Sequence, residues 1–134
     1  MRGQVAFEYM IIVAVVFAFL IPIWIYINTV QTRTSTELIL SYAKNAVEKI
    51  TTAADLVYSQ GPPAKVRLAL YIPSNVQDSS IVNKTVILRV VTDSGISDIY
   101  STSLANLNGS IPTSEGNYWA TLEAKDSFVQ IYIE

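Results

Sequence analysis

Glu8 is the residue whose type and position point most directly to a chemistry. It precedes an uncharged, mostly apolar run over residues 9–32, and Val5, Ala6 and Phe7 begin the apolar zone before it. A carboxylate within such a zone is costly to bury unless it is paired or neutralised, so it indicates a functional position. The chemistry expected of Glu8 is therefore neutralisation or pairing of its charge.

The side chains that most often perform catalysis are missing from the sequence. Its 134 residues include no His and no Cys. This removes thiol nucleophiles, disulfides, the usual zinc, haem and iron–sulfur ligands, and the commonest general base near neutral pH. No glycine-rich phosphate-binding motif and no Gly-x-Ser-x-Gly motif occurs. We therefore predict no enzymatic activity, no catalytic residue, no metal site and no cofactor.

The charge pattern also excludes two classes of partner. Nine Lys and Arg residues are scattered along a chain whose net charge is −2. They form neither a run nor a helix-face stripe, so the sequence predicts no nucleic-acid partner and no polybasic anchor for anionic lipid.

The apolar run predicts a membrane-spanning helix, which needs about 20 apolar residues. A cleaved secretory signal peptide would have a shorter apolar core followed by a small-residue site, and residues 28–32 (Asn-Thr-Val-Gln-Thr) contain none. We therefore expect the segment to remain attached to the mature protein. Pro22 lies inside it, and a proline is tolerated in a membrane helix.

Helical periodicity continues beyond the apolar run and then gives way to strand periodicity. Apolar residues recur at steps of three and four at Leu38, Ile39, Tyr42, Ala46, Val47, Ile50, Ala53, Ala54 and Val57, and Gly61-Pro62-Pro63 follows. This predicts a helix over residues 4–60, whose apolar part is about 5–30. Alternating patterns over residues 65–134 predict four or five antiparallel strands in one small sheet. The predicted fold class is α+β, with the outer half of the helix packed on that sheet.

The start of the chain resembles the class III signal peptides of archaeal type IV pilin-like proteins. In that family a short basic leader ends in Gly, and a Gln-x-Ser-x-Glu-Tyr pattern leads into an apolar helix. Here Arg2-Gly3 is followed by the segment Gln4-Val5-Ala6-Phe7-Glu8-Tyr9, in which Ala6 replaces the Ser. The resemblance implies cleavage between Gly3 and Gln4 by a prepilin peptidase on the cytoplasmic side. Residues 1–3 would then be the leader peptide, and Glu8 would become the fifth mature residue.

The resemblance also implies a type IV pilin-like fold and a life history. The precursor is held in the membrane, the domain over residues 65–134 lies outside the cell, and the clipped chain joins a helical homo-oligomeric surface filament. Gln4, Glu8 and Tyr9 are its implied assembly residues. Two other interpretations remain open, namely a single-pass membrane-anchored surface protein that never polymerises and a minor pseudopilin-like component. The filament's purpose stays open among adhesion, motility, DNA uptake and display.

Two sequons are candidate modification sites. Asn83-Lys84-Thr85 and Asn108-Gly109-Ser110 each match the N-glycosylation pattern. Because such a short pattern also arises by chance, an unmodified chain is the alternative expectation.

Overall fold

The computed structural model describes residues 2–134 and has an α+β layout. Helix α1 is Arg2–Gln60, and the strands that follow are β1 Lys65–Ile72, β2 Val76–Val82, β3 Thr85–Thr92, β4 Gly95–Thr102, β5 Asn106–Asn108, β6 Gly116–Ala124 and β7 Phe128–Ile133. The chain divides into two compact units, of which the first ends at Ser35 and the second is Thr36–Glu134. The predicted leader begins at Met1, which lies outside the described residues.

The prediction of a single antiparallel sheet is wrong. Within the described chain, seven strands form two sheets, one with the order β1-β6-β7-β5 and one with the order β2-β3-β4. The first sheet is mixed, because β5 pairs with β7 in parallel while its other pairs are antiparallel. The second sheet is antiparallel throughout. The predicted hairpin across Lys125-Asp126-Ser127 is confirmed as β6 and β7.

Strands β2 and β5 are the elements that the sequence pattern does not predict. Strand β2 reads VQDSSIV, and its polar centre carries no run of apolar or β-branched residues. Strand β5 has only three residues, in a region whose Asn-Gly pair predicts a turn. Both strands depend on pairing with other segments of the chain, which a local pattern does not encode. A 2.6 Å hydrogen bond from the Leu107 N–H to the Asn83 carbonyl links β5 to the turn after β2.

The core of the second unit is formed by residues 43–57 of α1 together with residues of both sheets. Seven α1 side chains are buried in one cluster with residues of both sheets: Ala43, Ala46, Val47, Ile50, Ala53, Ala54 and Val57. The predicted amphipathic stripe is thus confirmed over most of its length, and α1 packs on the sheets. Two members are corrected, because Leu38 and Tyr42 remain about half exposed. Tyr42 instead meets Tyr71 edge to face, with ring centroids 5.3 Å apart.

Asp55 links α1 by hydrogen bonds to the segment that follows β4, a role that the sequence pattern does not predict. Its Oδ1 accepts a hydrogen bond from the Ser103 hydroxyl and another, of 2.8 Å, from the Leu104 N–H. One turn earlier, the Thr51 and Ser101 hydroxyls lie 2.8 Å apart. Ser103 is almost fully buried, so its hydroxyl depends on this acceptor.

We expect Asp55→Ala to lower the free energy of unfolding of the second unit by about 1–3 kcal/mol, since a buried hydroxyl and an N–H lose their acceptor. The measurement is the denaturant midpoint of the detergent-solubilised chain. Glu37→Ala, which removes an exposed acid from the same helix, is the control and should change the midpoint little. Equal midpoints for the two variants would contradict this role of Asp55.

Candidate assembly surface

The first unit presents an uninterrupted apolar surface. Every large apolar side chain between Val5 and Val30 is between 42% and 72% exposed, although such side chains are normally buried. Single exposed apolar residues are common on proteins, but a continuous apolar helix surface indicates contact with lipid or with another protein. We call the surface of residues 5–30 the apolar helix surface.

Helix α1 is long and apolar enough to cross a membrane by length and composition, and none of its apolar window is buried. The helix continues through Pro22 and through the β-branched stretch that follows. There the Thr29 hydroxyl donates to the Ile25 carbonyl at 2.9 Å, and the Thr32 hydroxyl donates to the Asn28 carbonyl at 3.1 Å. These bonds satisfy the hydroxyls within the helix itself, so the polar residues remain compatible with its apolar course.

The three predicted assembly residues all lie on the first turns of α1 and are exposed. Gln4 and Glu8 are four residues apart, which places them one above the other on the same face of the helix. Tyr9 is 67% exposed and lies on an adjacent face. Among the side chains described from Gly3 onward, Glu8 has no ion-pair partner.

The predicted processing bond, Gly3–Gln4, lies in the first turn of α1. A Cβ built on Gly3 would meet no atom within 4 Å, so the position is open on all sides. Glycine is also a poor helix former, and a helix end frays readily. Among the described residues, no side chain therefore crowds the Gly3 side of this bond.

The two sequons differ in whether the side-chain amide of the asparagine makes a hydrogen bond. Asn83 is an exposed residue of the two-residue turn between β2 and β3, with a φ of 54°. Asn108 is also exposed, but its Nδ2 donates a 2.9 Å hydrogen bond to Gln130 Oε1. N-glycosylation modifies that nitrogen, so the geometry favours Asn83 over Asn108. Modification of either residue remains a prediction.

A groove that the sequence pattern does not predict follows the seam between the outer part of α1 and the edge strand β1. Two adjoining hollows that share Asn45 and Lys49 make up this α1–β1 groove. Leu56, Val66 and Leu68 line one of them, and Tyr71 lines the other. The two walls of the groove come from separate elements, α1 and β1. The groove therefore exists only because the helix packs beside the strand, and a local sequence pattern does not show it.

The polar groups of the α1–β1 groove differ in whether they have a hydrogen-bond or ion-pair partner. The Tyr71 hydroxyl donates to Glu115 Oε1 at 3.0 Å, and this hydrogen bond raises the pKa of Tyr71. Glu48 lies 3.8 Å from Lys44 in an exposed ion pair. Lys49, in contrast, has no carboxylate within ion-pair distance among the described residues. The groove therefore combines a mixed apolar and polar lining with one lysine that has no ion-pair partner among the described residues.

Within residues 2–134, no group of three or more acidic, His or Cys side chains is placed to hold a metal ion. Comparison with known proteins returned no matching family model, no matching curated protein and no matching solved structure. Function must therefore be inferred from the apolar helix surface, from Glu8 and from the α1–β1 groove.

Proposed function

We propose that this chain is the structural subunit of an archaeal type IV pilus-like surface filament. It is made as a membrane-anchored precursor, clipped between Gly3 and Gln4 by a prepilin peptidase, and assembled through the apolar helix surface. Its second unit then lies outside the cell. The action of the protein is association with further copies of itself, and it has no catalytic role.

The observation that carries this proposal is a single acid in an otherwise uncharged segment of α1 whose large apolar side chains are exposed. Glu8 is the only charged residue from Gly3 to Thr32. A helix that served only to anchor a domain in lipid does not need a carboxylate at its apolar start, because transfer of such a group into hydrocarbon is unfavourable. A helix that must dock against others gains a specific polar contact, whose loss leaves a charge unpaired.

Cleavage after Gly3 would supply the nearest partner for that acid. The new α-amine would belong to Gln4, one helical turn before Glu8. Between copies, a carboxylate paired with such an amine sets the axial register of an incoming helix, because a shifted helix leaves both charges bare. The apolar side chains exchange lipid contacts for protein contacts, so packing supplies the attraction and the charges supply the register.

A membrane-anchored surface protein that never polymerises is the second candidate. The length and composition of α1 favour it, since one apolar helix is sufficient to hold a domain at a membrane. Such a protein needs neither cleavage at Gly3 nor the carboxylate of Glu8. Processing and the response to Glu8 substitutions therefore separate the two candidates.

We expect Gly3→Phe to leave the precursor uncut and in the membrane, because the bulky side chain would occupy the position next to the scissile bond. Immunoblotting of membrane and surface fractions, with the mass of the chain, measures this. Val5→Phe, which adds a similar ring two residues away, is the matched control and should be processed. Normal loss of residues 1–3 from the Gly3→Phe chain would overturn the assignment of the cleavage site.

A further inference from the structure

We propose that the α1–β1 groove receives the start of the apolar helix of a second copy of this chain, with Glu8 of the incoming helix paired to Lys49 of the groove. This inference rests on the proposed filament, and it makes Lys49, rather than the Gln4 α-amine, the cation that Glu8 meets in another copy. The contact would join two groups that have no ion-pair partner among the described residues, a carboxylate on an apolar helix and a cation in a partly apolar groove.

The walls of the groove suit an apolar helix. Leu56 is about half exposed, and Val66 and Leu68 are only partly buried, although all three side chains are apolar. They lie on two elements, so a cylinder laid along the seam would contact both walls at once. Outside the bilayer such surface is unfavourable in water, and so is the apolar helix surface. Contact between the groove and the apolar helix surface would remove apolar area of both from water.

The charges agree with this occupant. Lys49 is common to both hollows of the groove, so it lies where they join. Its long apolar stem can lie against the walls while its ammonium group reaches an incoming acid. The other charged residue of this part of the groove, Glu48, is already paired with Lys44. Lys49 is therefore the groove cation that can meet an incoming acid, and Glu8 is the acid of the apolar helix surface.

In the proposed contact the two charges come from different copies. Glu8 belongs to the first unit and Lys49 to the second. A contact between copies that uses two different surfaces is heterologous, and such a contact builds open helical assemblies when its rotation does not close into a ring. Pairing Glu8 with Lys49 is therefore compatible with a filament and needs no symmetric dimer.

A double-mutant cycle on the full-length chain tests the pairing. Glu8→Gln, Lys49→Gln and the double variant are compared by the fraction of protein recovered in sedimented filaments. We expect each single change to lower that fraction about tenfold or more, and the double change to lower it no further, because either change alone removes the pair. Lys84→Gln, which removes a lysine from the exposed β2–β3 turn, is the matched control and should assemble normally.

Cross-linking tests the position without altering either charge. The chain contains no cysteine, so introduced thiols react without background. Val15 and Leu56 are exposed and each lies seven residues, about two turns, beyond its charge on the same helix face. In parallel helices paired at Glu8 and Lys49, Val15→Cys and Leu56→Cys in one chain should be joined by a short bis-maleimide into a ladder of multimers. Val15→Cys with Lys84→Cys should give no ladder.

Two results would overturn the groove assignment while the proposed filament stands. In the first, filaments form but losses in the cycle multiply as for independent sites. In the second, filaments of the Val15→Cys/Leu56→Cys chain yield no ladder. If the unaltered chain forms no filaments at all, the proposed function fails, and the groove assignment fails with it.

Discussion

A chain shortened to begin at Thr34 is expected to be soluble, β-containing and monomeric, and to form no filaments. The second unit, Thr36–Glu134, contains its own core of helix and sheet residues and needs nothing from the apolar helix surface. The exposed apolar side chains of the apolar helix surface, to which we assign assembly, all lie before that point. Of all the changes described, we expect this truncation to have the largest effect. Assembly should be lost completely, while the second unit should keep its fold.

Circular dichroism, light scattering and electron microscopy of the shortened chain measure this result. The full-length chain, removed from detergent under the same conditions, is the control and should give elongated particles. Filaments formed by the shortened chain would refute the assignment of the apolar helices to the assembly core. A shortened chain that fails to fold would contradict the independence of the second unit.

Glu8→Gln and Glu8→Ala are expected to be inserted and clipped but to assemble poorly, with filament yield lowered about tenfold or more. An unpaired buried charge costs several kcal/mol, and each 1.4 kcal/mol corresponds to about a factor of ten in an equilibrium constant. Both variants remove the carboxylate, so the cation that pairs with it has no counter-charge in the assembled filament. The melting of the second unit should change little, because Glu8 lies outside that unit.

Filament yield relative to clipped protein in the membrane measures the effect of Glu8. Glu37→Gln removes an exposed acid from the same helix and is the matched control, which should assemble normally. A Glu8→Ala chain that builds filaments at normal yield would eliminate charge pairing and leave apolar packing as the only assembly force. Failure of that variant to be clipped would instead connect Glu8 with recognition by the peptidase.

The helix is predictable from the sequence because its signal is local. Periodicity, the length of the apolar run and the Gly61-Pro62-Pro63 stop indicate a helix over residues 4–60, and α1 is Arg2–Gln60. The strand β3, with its continuous apolar pattern, is equally predictable. The division into two sheets is not, because β2 is polar at its centre and β5 pairs in parallel with β7, about twenty residues further along the chain.

The residues of the candidate site also include some that the sequence predicts and some that it does not. Gly3, Gln4, Glu8 and Tyr9 lie close together in the chain, so a sequence motif is sufficient to identify them. The position of Lys49 in a groove depends on α1 and β1 coming together, and the acceptor role of Asp55 depends on the segment after β4. Both belong to contacts between distant parts of the chain, which composition and periodicity do not record.

The most direct test of the proposed function is the intact mass of the chain in purified surface filaments. We predict that it begins at Gln4, having lost Met1, Arg2 and Gly3, and that this species is the main protein of the filament. Loss of Arg2 would also change the formal charge from −2 to about −3 on side chains alone. A chain that begins at Met1 or Arg2 and is found in membranes without filaments would contradict the proposed function.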